Sequence, residues 1–138
     1  RRKGFWMSDR EEIESLIRTA FDCGMKIHIE VGPGLLESVY ERVLADRLRA
    51  LGIQVDQQQH ISIEIDGMTY PDAFRYDLLL NKKLIIEVKS IERLGPIHIK
   101  QTLTYIRFMR LPFGLIFNFG AEKFKLGMRR VINDRIRL

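Results

Sequence analysis

The chain has a single cysteine, Cys23, so no intramolecular disulfide can brace it. One cysteine with three scattered histidines (His28, His60 and His98) makes no zinc site either. No apolar run approaches the length of a membrane span, and the N-terminal stretch lacks the apolar core of a signal peptide. Internal repeats, linkers and low-complexity segments are also missing. A single domain over residues 1–138, cytoplasmic and free of the membrane, is therefore the expectation.

What is present fits an ordinary globular protein. At 138 residues, 46% apolar and 30% charged, the chain can bury a proper core. Its net charge of +5 and pI near 9.6 permit polyanion binding without requiring it. Much of that surplus lies at the ends, in Arg1, Arg2, Lys3, Arg129, Arg130, Arg135 and Arg137, where basic residues are usually just solvated. Residues 1–6 precede Met7 and are read as a vector-derived or upstream extension.

Ser8 and Glu11 have capping-box spacing, and Ile13, Leu16, Ile17, Ala20, Phe21, Gly24 and Ile27 recur at helical intervals. A first helix over 9–30 follows, stopped by Val31-Gly32-Pro33-Gly34. Cys23 falls among its small residues and reads as packing. A second helix spans 35–51, with Gly52 as its C′ glycine. Glu37 lies in its first turn, beside an apolar stripe of Leu36, Val39, Tyr40, Val43, Leu44, Leu48 and Leu51. Strand patterning then runs over 53–65, and Asp66-Gly67 signals a hairpin turn. A second strand covers 68–80, with an interruption, bulge or edge position at Pro71-Asp72. The third strand, 83–90, completes an antiparallel meander. A third helix over 97–110 leads to the apolar run 113–117, which suits a buried parallel strand after a crossover. A terminal strand is expected between Phe124 and Ile132. The order α-α-β-β-β-α-β predicts an α/β (α+β) domain with helices on both faces of its sheet.

One hairpin carries the chemistry. If Asn81-Lys82-Lys83 is the loop, Asp77 faces Glu87 across the strands, with Cβ atoms about 5 Å apart. Lys89 shares their face, two residues beyond Glu87. A cross-strand salt bridge is the bland reading, and at an exposed site it would win. Here the flanking residues are apolar, so bare carboxylates would be costly, and one lysine leaves net negative charge. Oxygen ligands of this kind suit Mg²⁺ or Mn²⁺.

The pattern D-x(9)-E-x-K, on a hairpin preceded by a glutamate-bearing helix, resembles the PD-(D/E)XK nuclease superfamily. The segment Gly34-Leu35-Leu36-Glu37-Ser38-Val39-Tyr40 resembles the GxxExxY family within it. His98, Gln101 and Tyr105 match H-x-x-Q-x-x-x-Y, and the likeness runs from Phe21 to Ile132, including Asn118-Phe119-Gly120 and Arg130. The resemblance implies a restriction-endonuclease-like αβββαβ core with an extra N-terminal helix. It implies a Mg²⁺ (or Mn²⁺) site held by Asp77, Glu87 and the Val88 carbonyl, with Glu37 approaching from the second helix as an outer or direct ligand. Lys89 would orient the attacking water and stabilise charge on the phosphate, and Gln101 with Tyr105, as in RecB-like nucleases, would help build the active site. Asp72, beside Pro71, mimics the literal motif but is too early to face Glu87 and reads as a turn residue. His98 reads as a helix-start residue, while His28 and His60 have no evident partner.

A metal-dependent nuclease acting on DNA is thus the leading expectation, with a homodimer compatible with cutting both strands. The alternatives are an inactive nucleic-acid-binding or protein-interaction module that keeps the fold, and hydrolysis of another phosphoester.

Overall fold

A computed structural model describes residues 8–136; the expectations about residues 1–6, Met7 and Arg137 lie outside the described residues. Helices α1 (Asp9–Val31) and α2 (Glu37–Ala50) come first. Strands β1 (Val55–Gln57), β2 (His60–Ile65), β3 (Met68–Arg75), β4 (Leu78–Leu80) and β5 (Leu84–Lys89) follow. The chain continues through α3 (Pro96–Met109), β6 (Phe113–Asn118), the short α4 (Phe124–Gly127) and β7 (Met128–Ile132). The main sheet has the order β1-β4-β5-β6-β7. Among the described strands only β5 and β6 run parallel, joined by the α3 crossover. This is the mixed α/β architecture expected, with helices on both faces.

The local signals work as read. Ser8 and Glu11 form the capping box of α1. Asp66 and Gly67 both have positive φ, which is the twist a two-residue hairpin turn needs. The five-residue run Leu84–Val88 is buried throughout because both faces of β5 are covered. Leu78, Leu80, Leu84, Ile86 and Val88 pack towards α1 and α2. Leu79 and Ile85 pack with Ile106 of α3 on the other side. Gly24 of α1 faces the Phe124 ring, which a Cβ there would overlap. Gly24→Ala should therefore cost about 1–3 kcal/mol by overpacking, measurable by urea unfolding.

Three expectations need correction. The meander has no continuous first or second strand: each divides, at Gln58-Gln59 and at Tyr76-Asp77. The outer halves, β2 and β3, form a separate two-stranded ribbon, while β1 and β4 stay in the main sheet. At Pro71-Asp72 the expected bulge is present: the pairing slips register opposite Ile61 and Ile63, with Asp72 at positive φ, while the strand itself runs on. The α2 stripe is narrower than its pattern, because Leu36, Val39 and Leu51 are exposed and Tyr40, Leu44 and Leu48 alone of that set are fully buried. The segment 124–132 begins as helix α4 before β7.

Candidate active site

The β4–β5 register is Leu78↔Ile86, Leu79↔Ile85 and Leu80↔Leu84, so Asp77 comes opposite Glu87 at the sheet end. Both acids are tied into the backbone there. The Val88 N–H donates to Asp77 Oδ2 at 2.7 Å, and the Asp77 N–H donates to Glu87 Oε2 at 2.9 Å. Each strand thus fixes the carboxylate of the other. Glu87 is only 3% exposed. Burial, then the charge of Asp77, pushes its pKa up to about 8. Burial also raises the Asp77 pKa, against the hydrogen bond from Val88 and the nearby charge of Lys89. Two desolvated acids in mutual repulsion, with Lys89 beside them, form the electrostatic centre of the site.

Beside Asp77 opens a cavity of about 560 Å³, walled by Leu36, Glu37, Ser38 and Glu41 of the α2 segment and by Gln58, Arg75 and Asp77 itself. Glu37 does not turn towards the core side. It stays exposed at the rim, where Oε2 accepts the Ser90 N–H at 3.1 Å. Its approach is set by Tyr40, whose buried ring stacks on Phe119 at 4.6 Å. The Tyr40 hydroxyl donates to the Gly32 carbonyl and accepts from the Leu35 N–H, pinning the loop that precedes Glu37.

The acid that does face inward is Glu41, one turn further along α2 and 8% exposed. Burial raises its pKa, while hydrogen bonds from Gln57 and Gln58 favour its ionised form. Gln58 Nε2 also donates to Asp77 Oδ1 at 3.0 Å. Sequence patterning missed both Glu41 and Gln58. Glu41 carries a weak signal, lying at i+4 from Glu37 beside Tyr40; Gln58, one of three successive glutamines, carries none.

On the α3 side, Tyr105 stacks on Phe74 of the ribbon at 4.2 Å between ring centroids. Burial, and then the charges of Glu87 and Asp77, raise its pKa. Gln101 is exposed on α3, and no described hydrogen bond joins it to the acids. The Nδ1 of His98 accepts the Gly95 N–H at the helix start. His28 pairs with the Ala121 carbonyl at 2.7 Å, and Cys23 is buried.

The family model of the PD-(D/E)XK nuclease superfamily matches residues 14–131, nearly the whole described chain. The chain belongs to that superfamily. A search of curated proteins finds no match. Asp77, Glu87 and Lys89 stand at D-x(9)-E-x-K spacing within the matched residues. Members generally use divalent metals, and the donor chemistry here suits one: the acids offer only oxygen, carry net negative charge and are poorly hydrated. Among the described residues, no three Asp, Glu, His or Cys side chains already stand in ligating geometry. No helix of the described residues is long and apolar enough to cross a membrane.

Proposed function

We propose that the chain is a divalent-cation-dependent nuclease acting on DNA, with Asp77, Glu87 and Lys89 at its centre. The observation that carries this reading is the carboxylate pair, Glu87 buried and Asp77 partly so, cross-braced by its own strands beside a lysine, with Asp77 lining an open cavity. Asp77 and Glu87, with the Val88 carbonyl and Glu37, would hold Mg²⁺ or Mn²⁺. Such a cation, when bound, neutralises the pair and makes water acidic enough to attack at neutral pH. Lys89 meets the developing charge on the phosphate and orients the water. Tyr105 and Gln101 border the substrate from α3, and Arg75 offers a cation at the cavity wall. Within the superfamily, the Gly34–Glu37–Tyr40 spacing supports placement with the GxxExxY, RecB-like proteins, working in the cytoplasm and, where both strands are cut, as a homodimer.

The test is cleavage of plasmid, single-stranded and branched DNA with and without Mg²⁺ or Mn²⁺. Wild type should cut only with the cation, and Asp77→Ala and Lys89→Ala should not cut. Failure of wild type to cut, or equal cutting by both variants, would remove the assignment. DNA binding without cleavage would favour a binding module instead.

A further inference from the structure

We propose that Gln58 is a positioning residue of this site, its side-chain amide bridging Asp77 and Glu41 so that the Asp77 carboxylate is held ready to bind a cation. The inference rests on the reading of Asp77 as a cation ligand and adds a residue that neither the motif nor the family match assigns.

The geometry is specific. Gln58 Nε2 lies 3.0 Å from Asp77 Oδ1 and 2.5 Å from Glu41 Oε1. A side-chain amide nitrogen has two hydrogens, so one goes to each acid. The other oxygen of Glu41 accepts from Gln57 Nε2 at 3.0 Å, which fixes the anchor itself. Gln58 also grips Asp77 through the backbone, its N–H donating to the Asp77 carbonyl at 2.9 Å. It does so from a left-handed conformation, φ 53°, at the point where the chain leaves β1 for the ribbon. A non-glycine residue rarely adopts that conformation, and such strain concentrates at functional positions.

With Val88 holding Oδ2 and Gln58 holding Oδ1, both oxygens of Asp77 are oriented. A neutral amide achieves this without cancelling the negative charge that attracts the cation. Losing an outer partner of this kind typically weakens metal binding about 10–100-fold.

Two measurements test it. In wild type without metal, the Gln58 side-chain amide protons should resonate away from free-glutamine positions and exchange slowly. Asp77→Asn and Glu41→Gln should each perturb one of them. In Mn²⁺ titrations by calorimetry, Gln58→Leu should bind at least tenfold more weakly than wild type while remaining folded by circular dichroism. Free-glutamine amide signals in wild type would overturn the bridge even if Gln58→Leu failed to fold. Equal Mn²⁺ affinity of the two proteins would overturn the positioning role. If wild type bound no Mn²⁺ but showed the bridged amide, the bridge would stand, and both the cation reading of Asp77 and the readiness argued from it would fall.

Discussion

Replacing Glu87 by glutamine should abolish cleavage and, at the same time, make the metal-free protein more stable at pH 8. The two effects share one cause. In the native state Glu87 titrates at about 8, against 4.5 for an unperturbed glutamate. Below pH 4.5 the group is protonated in both native and unfolded states and does not change stability with pH. Between 4.5 and 8 the native state keeps its proton while the unfolded chain releases it, so stability falls as pH rises. Each tenfold difference in proton affinity is worth about 1.4 kcal/mol, so the loss reaches the order of a few kcal/mol. Asp77 and Glu41 are shifted in the same direction by burial. Glutamine resembles the protonated acid and still offers an oxygen to the Asp77 N–H. The variant should therefore match wild type near pH 4.5 and exceed it by about 1–3 kcal/mol at pH 8. Urea unfolding with chelator present, at both pH values, measures this. Saturating Mg²⁺ should then stabilise wild type at pH 8, by about 2.7 kcal/mol at a hundred times the dissociation constant, and leave the variant nearly unchanged. A wild-type stability that climbed from pH 5 to 8 without cation would contradict the desolvated pair.

Asn118→Ala should be the most damaging single change away from the acids. Asn118 ends β6 and is 1% exposed. Its Oδ1 accepts the N–H groups of Ile91 and Gly120, each at 3.0 Å, and its Nδ2 donates to the Ile91 carbonyl at 2.9 Å. Alanine strips three backbone groups of a partner at once. Each unpaired, partly buried group costs about 1–3 kcal/mol, and water can reach some of them, so a total near 3 kcal/mol is expected. That should lower the melting temperature by about 10 °C. Activity should fall further than stability explains, because the clamped segment starts at Lys89 and Ser90. Lys89 faces Asn118 across the β5–β6 register, and the Ser90 N–H holds Glu37. Gly120→Ala tests the same clamp differently. A Cβ there would strike the Ile91 backbone, displacing the segment without removing a hydrogen-bonding group. Both variants should lose cleavage at temperatures where circular dichroism still reports a folded protein; full activity in either would detach the clamp from the site.

The contrast between hairpin and ribbon separates what local pattern reveals from what it hides. The Asp77–Glu87 register was legible because both hairpin arms are buried: a one-residue slip would turn every apolar side chain to the wrong face. Lys89 followed from period-two alternation, and β6 from its unbroken apolar run. The division of the long strands was not legible. His60–Ile65 alternates as well as any strand, the signal at Pro71-Asp72 lies within β3 and not at its end, and nothing local says that the two strands leave the sheet at Gln58 and Tyr76. Glu37 and Glu41 show the same limit on a helix. Both lie near the apolar stripe, and only the position of α2 against the sheet decides that Glu41 is buried against Gln57 and Gln58 while Glu37 lines the same cavity from an exposed position.

The sequence by itself determined the succession of two helices, an antiparallel hairpin, a crossover helix and a buried parallel strand, the opposed carboxylates of Asp77 and Glu87 and the lysine beside them, because those depend on short-range periodicity and one tight turn. Tertiary structure alone decided that Glu41 turns inward to join the site, where Tyr105 stacks, and that Gln58 joins Asp77 to Glu41. Those contacts span 16 to 31 residues of chain, and they exist only once α2, α3 and the ribbon have packed against the end of the sheet.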